Sequence, residues 1–232
     1  MQELLTKGIG PDGKPHTEFK DAPVGRIPVE LEVSTIEAAA ELIKPGPFGS
    51  AIKKSMYKES GYRVYGQEQV IGGSLKIGDY YIDEEKYEEL KSFRVKSKDI
   101  LISLVGTIGN ILIVPEDHEP GVINPRLLLI RFSSEVIDIE FIAYQLQSSV
   151  VRDQLELLQQ GGTMGVLSAT TIKPVLIFLP PLKTQVSFRC ALQSIDGRIS
   201  SAQQRLEHYQ YLKKALMQDL LTGKVRVTPD PE

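Results

Sequence analysis

The feature that most constrains this chain lies near its C-terminal end. Phe188, Leu192, Ile195, Ile199, Ala202, Leu206, Tyr209, Lys213, Leu216 and Leu220 follow one another at alternating intervals of four and three. That is an unbroken a/d heptad seam in which only Lys213 is polar. A helix over residues 184–221 would run roughly 57 Å at 1.5 Å per residue. A compact neighbour cannot cover an apolar stripe of that length, so the pattern asks for a second long helix. A core helix of the same domain is the competing reading. Gly223 stands where the C-terminal cap of such a helix belongs, and Pro180-Pro181 closes whatever precedes it.

Upstream the pattern changes. Residues 7–28 are rich in Gly, Pro, Asp and Lys and read as an extended linker. Ser34-Thr35-Ile36-Glu37 reads as a capping box with Ser34 as the cap, opening a short helix to about Ile43 that Lys44-Pro45-Gly46-Pro47 stops. Runs of β-branched and aromatic residues at 62–65, 80–82, 99–105, 110–114 and 127–132 read as strands, split by Gly72-Gly73, Gly106, Gly109 and Pro120-Gly121. Helical spacing returns over 138–159 and ends at Gly161-Gly162, and residues 175–179 form a last strand. The expected fold is α+β: a mixed or antiparallel β-rich domain followed by a long coiled-coil helix. Its parts are a helix-end remnant and linker (1–28), the β-rich domain (29–181), the helix (182–223) and a tail (224–232). Met1-Gln2-Glu3-Leu4-Leu5-Thr6 nearly repeats Met217-Gln218-Asp219-Leu220-Leu221-Thr222. Read as a repeat, the chain begins where one unit ends and finishes at the same point of the next.

Net charge is -3, which argues weakly against nucleic acid, but its distribution is uneven. Lys44, Lys53, Lys54, Lys58 and Arg63 face only Glu59, and Lys91, Arg94, Lys96 and Lys98 form a second basic run. Acidic residues gather at 83–89 and 116–119. Each basic run is either a solvated face or a phosphate-attracting patch.

No catalytic chemistry stands out. There is no GxxxxGK[ST] loop and no HExxH pair, and His16, His118 and His208 lack ligand neighbours at useful spacing, so no metal or cofactor is expected. Asn124-Pro125-Arg126 lacks the second proline and aromatic of the adenine-methyltransferase motif. A single cysteine, Cys190, excludes an internal disulfide. The apolar runs are too short to span a bilayer and no secretory signal opens the chain, so a cytoplasmic location without membrane contact is expected.

Three stretches together resemble the specificity subunit of type I restriction-modification systems. The first is Gly162-Thr163-Met164, Leu167-Ser168 and Ile172-Lys173, then residues 175–182 with Gln185. It is similar to the segment joining each target-recognition domain of that family to its conserved helix. The second, Ile195-Asp196, Leu212-Lys213-Lys214 and residues 216–224, resembles the helix itself. The third, residues 98–103 with Gly106-Thr107-Ile108-Gly109 and Asn124, resembles the strand-turn-strand core of a target-recognition domain. Leu31 stands where the family often has tryptophan, and Thr184 where it usually has glutamate. Family members carry two recognition domains and two helices, so this chain resembles one half.

The resemblance implies a non-catalytic subunit that reads half of a bipartite site in double-stranded DNA. It also implies docking of modification (methyltransferase) subunits and, through them, restriction subunits. Lys53, Lys54, Lys58, Arg63 and Arg94 are candidates for phosphate, and Gln67, Gln69, Asn110, Asn124 and Arg126 for base edges, with Tyr62 and Tyr65 packing on sugar or base. Leu192, Ile195, Ile199, Ala202, Leu206, Tyr209, Leu216 and Leu220 are the candidate dimer interface. Parallel pairing would crowd two recognition domains at one end, so an antiparallel homodimer is expected of the isolated half, with a palindromic target. A coiled-coil scaffold that binds protein but not DNA is the alternative.

Overall fold

The computed structural model describes residues 18–22, 25–29, 31–104, 110–159 and 167–225. The repeat at residues 1–6, the turn at 106–109, and Gly161-Gly162 with Thr163 and Met164 lie outside them. The chain divides into two compact units, Met1–Arg189 and Cys190–Glu232.

The first unit is built on a four-stranded antiparallel sheet. Its strands lie in the order β4 (Ala40–Pro45), β10 (Leu127–Phe132), β7 (Ile100–Ser103) and β8 (Ile111–Ile113). The two central strands read Leu-Leu-Leu-Ile-Arg-Phe and Ile-Leu-Ile-Ser, near-continuous apolar runs, because both faces of the sheet are covered. Successive side chains point to opposite faces. Ile100, Ile102, Leu128, Ile130 and Phe132 enter one core with Phe141, Leu155 and Phe178. Leu101, Leu127 and Leu129 enter another with Tyr65, Val70 and Ile123. Arg131, the one charged residue of β10, sends its guanidinium fork to both oxygens of fully buried Asp99, each at 2.6 Å.

A second sheet sets β6 (Tyr81–Ile82) antiparallel and β9 (Gly121–Ile123) parallel to the central β5 (Tyr62–Tyr65). Alternation splits its faces too: Tyr65 and Ile123 join the second core, while Val64 and Val122 join a third with Ile52, Ile82 and Leu90. A third sheet pairs β3 (Val33–Thr35) with β11 (Leu176–Phe178). The other edge of β11 is closed by two side-chain amides. Gln145 bridges the N–H and C=O of Phe178 at 2.7 and 2.8 Å, and Gln154 does the same for Leu176 at 2.8 and 3.1 Å. Each amide replaces the pair of hydrogen bonds a neighbouring strand would make.

Several local expectations are corrected. Residues 18–28 are no plain linker: β1 (Phe19–Ala22) and β2 (Gly25–Pro28) form an antiparallel hairpin. Thr35, not Ser34, caps the first helix by accepting from the Ala38 N–H at 3.1 Å. That helix, α1, is only Ile36–Ala39. The chain then turns into β4, whose pairing with β10 outweighs the local helical preference of Ala40 to Leu42. The single helix expected over 138–159 is two, α4 (Ile139–Leu146) and α5 (Ser149–Gln159). Ser148 breaks it, since its hydroxyl donates to the Gln145 carbonyl at 2.6 Å and offers the backbone an alternative partner.

The C-terminal helix, α7 (Leu182–Leu221), has 40 residues. Its first turns belong to the first unit, so the division expected at residue 181 falls after Arg189. Gln185 is buried there: its carbonyl accepts from the Asp138 N–H at 2.9 Å and its amide donates to the Pro180 and Val136 carbonyls at 2.8 and 3.2 Å. Phe188 packs on Phe141, and Arg189 pairs with Asp138 at 2.8 Å. At the far end Gly223 has φ 72, the left-handed conformation expected of the cap. The Gly223 N–H reaches the Leu220 carbonyl and the Lys224 N–H the Asp219 carbonyl, at 3.2 and 2.9 Å, which is the Schellman arrangement.

Candidate nucleic-acid interface

Three segments far apart in sequence meet at one groove of about 630 Å³ in the first unit. After β4, the backbone of Gly46 lies so close to that of Asn124 that a Cβ would sit 1.9 Å from its carbonyl oxygen. Only glycine permits this approach. The chain then turns at 48–51 and enters a 3-10 turn, Lys54–Met56, bringing Lys54 to the groove with Lys53 beside it. From the end of β5, Gly66 leads into α2 (Gln67–Gly72), and Gln67 lines the groove. The third segment is the turn from β9 to β10. Asn124 accepts the Arg126 N–H on its side-chain oxygen at 2.8 Å, an Asx turn that presents Arg126.

Charge is the informative property here. Lys53, Lys54 and Arg126 are exposed, and among the described residues none of their side chains has an ion-pair partner. Among the described residues Glu68 is the one carboxylate lining the groove. Gln67 donates to the Ser103 hydroxyl at 2.6 Å. Tyr57 and Tyr80 form the aromatic wall, with ring centroids 4.8 Å apart. Burial, then the neighbouring Tyr80 and Glu68, raises the Tyr57 hydroxyl above the usual tyrosine range. These two tyrosines are absent from the sequence-based candidates. Their types were visible, but their pairing across 23 positions is a tertiary fact.

The remaining candidates are placed elsewhere, and three are corrected. Arg63 is only 4% exposed. Its guanidinium donates to Tyr81 at 2.9 Å, to Glu119 at 2.8 Å and to the Ile77 and Gly78 carbonyls. It clamps the 77–78 turn and offers phosphate nothing. Tyr65 is fully buried, donates to the Glu119 carbonyl at 2.6 Å, and burial pushes its pKa up to about 12. Gln69 is buried, spanning the Gly66 N–H at 2.7 Å and the Ile77 carbonyl at 2.6 Å. The cause is common: β5 is a central strand, and α2 packs against β7 and β8.

Tyr62 stacks on Tyr87 at 3.8 Å, and Arg94 lies over the other side of that ring at 3.9 Å while pairing with Glu88. Neither lines the groove. Lys58 is paired with Asp83 at 3.5 Å on the surface. Asn110 is half-buried before β8, where its carbonyl accepts from the Ser103 N–H.

On α7, Leu192 is half-buried and the seam beyond it is bare. Ile195, Ile199, Leu206, Tyr209, Leu216 and Leu220 are between 41% and 63% exposed, and Ala202 is exposed as well. Among the described residues no His, Cys, Asp and Glu cluster is arranged to hold a metal, and no helix is long and apolar enough to cross a membrane.

The model for the type I restriction modification DNA specificity domain matches residues 30–208, more than three-quarters of the chain. The chain belongs to that family. It is 29% identical over 227 residues to the putative type I restriction enzyme MjaX specificity subunit of Methanocaldococcus jannaschii, covering 98% of this chain and 50% of that protein. It is 28% identical over 232 residues to the MjaVIII specificity subunit of the same organism, covering 98% and 53%. This specificity-family chain therefore spans about half the length of the curated relatives it matches. Its fold is that of the HsdS subunit from Thermoanaerobacter tengcongensis, at TM-score 0.59 and 15% identity over 87% of this chain and 47% of that one. A chain solved in work on complex assembly and conformational transition of the type I R-M system superposes at TM-score 0.66 and 16% identity, over 85% and 46%.

Proposed function

We propose that this specificity-family chain reads one half of a bipartite site in double-stranded DNA and catalyses nothing itself. The observation that carries the reading is the groove. Lys54 and Arg126, without ion-pair partners among the described residues, line it with Gln67 and Asn124, and exposed Lys53 adjoins Lys54 in the chain. Lysines on phosphate fix position without reading sequence. A guanidinium fork suits guanine, and side-chain amides suit adenine. The net charge of -3 does not oppose this, since the groove's own lining sets Lys54 and Arg126 against Glu68 and is locally positive.

A split site needs two readers at a fixed separation. Forty helical residues extend about 60 Å, and the exposed seam needs a partner of similar length. The matched relatives supply twice this length of chain. A second copy, packed antiparallel along the seam, supplies the same here and places one reader at each end. Docking of modification subunits, and of restriction subunits through them, is part of the proposal on family membership alone.

The test is DNA retention from a randomised duplex pool, alone and with modification subunits. Lys53→Ala with Lys54→Ala should weaken binding to every duplex and reduce the salt slope by about 2. Arg126→Ala should cost roughly 1–3 kcal/mol on preferred duplexes and little on others. A lysine effect confined to one sequence would contradict the phosphate role. Failure of the wild-type chain to retain any duplex, with or without modification subunits, would defeat the reading.

A further inference from the structure

Phe48 is the most exposed large hydrophobic side chain among the described residues, at 90%. Scattered exposed hydrophobes are ordinary. What separates Phe48 is how its turn is held and what surrounds it. Pro45 and Pro47 bracket Gly46, whose N–H bonds the Leu127 carbonyl at 2.8 Å and whose backbone presses on Asn124. The Ala51 N–H closes the turn on the Phe48 carbonyl at 2.8 Å, and Ile52 is buried in the core beneath. The ring is thus carried on a braced turn, and its neighbour Gly49 lines the groove with Lys54, Asn124 and Arg126. An exposed apolar ring one residue from a groove lined by Lys54 and Arg126, which have no ion-pair partner among the described residues, has the composition of a DNA contact: the cations suit phosphates, and the ring suits stacked bases.

We propose that Phe48 is a wedge that enters the base stack of the bound duplex, opening one base step and bending the DNA there. This rests on the DNA-reading proposal above. Side chains of this kind unstack a step and kink the duplex, and pyrimidine–purine steps yield most easily. Phe48 therefore adds selectivity for a deformable step, without a hydrogen bond to any base.

The experiment uses the full chain and duplexes it has retained from a randomised pool, each carrying 2-aminopurine in place of one adenine. The wild-type chain should raise fluorescence at a single step. Phe48→Ala should remove that rise and weaken retention roughly ten- to hundred-fold. Phe48→Leu, which keeps an apolar wedge, should recover part of both. Unchanged thermal unfolding of Phe48→Ala shows that the fold is intact, as expected for so exposed a side chain. A wild-type chain that binds without a fluorescence rise anywhere overturns the wedge while leaving DNA reading in place. So does a Phe48→Ala chain whose DNA retention is unchanged, including one that has lost only self-association or modification-subunit binding. A wild-type chain that retains no duplex overturns the DNA-reading proposal and the wedge together.

Discussion

The unit ending at Arg189 and the helix that continues from Cys190 use the same aliphatic residues to opposite ends. In β7 and β10 a two-residue period delivers Ile100 and Leu101, or Leu128 and Leu129, to two different cores, and each is almost fully buried. In the helix a period of three and four delivers Ile195, Ile199, Leu206 and Leu216 to one stripe, and each is about half exposed. The first pattern is satisfied within one chain. The second is not, since each half-exposed aliphatic side chain forgoes roughly 1 kcal/mol of possible burial. Gln185, Phe188 and Arg189 mark the point where one regime hands over to the other. Beyond that point the apolar stripe of about 30 helical residues stays exposed, and the proposed pairing along the seam is what would cover it.

That contrast can be broken from either side. The largest expected effect is on the helix: Leu206→Asp puts a charge into the centre of the seam and should weaken the proposed self-association roughly a thousand-fold or more. Sedimentation equilibrium should report a monomer, while thermal unfolding of the first unit stays unchanged. Next comes the opposite experiment. Arg131→Ala strands the fully buried Asp99 carboxylate and should cost the first unit about 3–5 kcal/mol in urea unfolding, with oligomeric mass preserved under native conditions. Gln185→Ala acts at the junction. It orphans the Asp138 N–H and the Pro180 carbonyl, and should cost about 2 kcal/mol. Hydrogen exchange should rise in the first turns of α7 and not beyond Leu192.

The smallest effect concerns pH. Tyr65 titrates at about 12 in the folded unit and near 10 once unfolded. The folded state thus holds a proton that the unfolded state has lost between those values, so stability falls as pH rises from about 10 to about 12. Tyr65→Phe should lose about 1 kcal/mol at neutral pH and lack that share of the alkaline decline.

What could be read beforehand follows the reach of each signal. The seam, the cap at Gly223 and the strands at 62–65 and 127–132 are periodic or local, and the structure has them. The hairpin at 19–28 hides in linker-like composition, and α1 ends early because β10 recruits the next residues as β4. For the groove, residue type identified cations and amides but not which were already committed. Arg63 and Lys53 look alike in a list of basic residues; Glu119, which claims Arg63, lies 56 positions away. Nor does spacing announce that β5 runs parallel to β9 and so carries Gln67 towards Asn124.

The central claim, that one braced groove reads DNA and one bare seam doubles it, is tested most directly by sequencing the duplexes that the unaltered chain enriches from a randomised pool. The account predicts an inverted repeat of two short motifs separated by a gap of fixed length. Enrichment of one undivided asymmetric motif, or none at all, would contradict it.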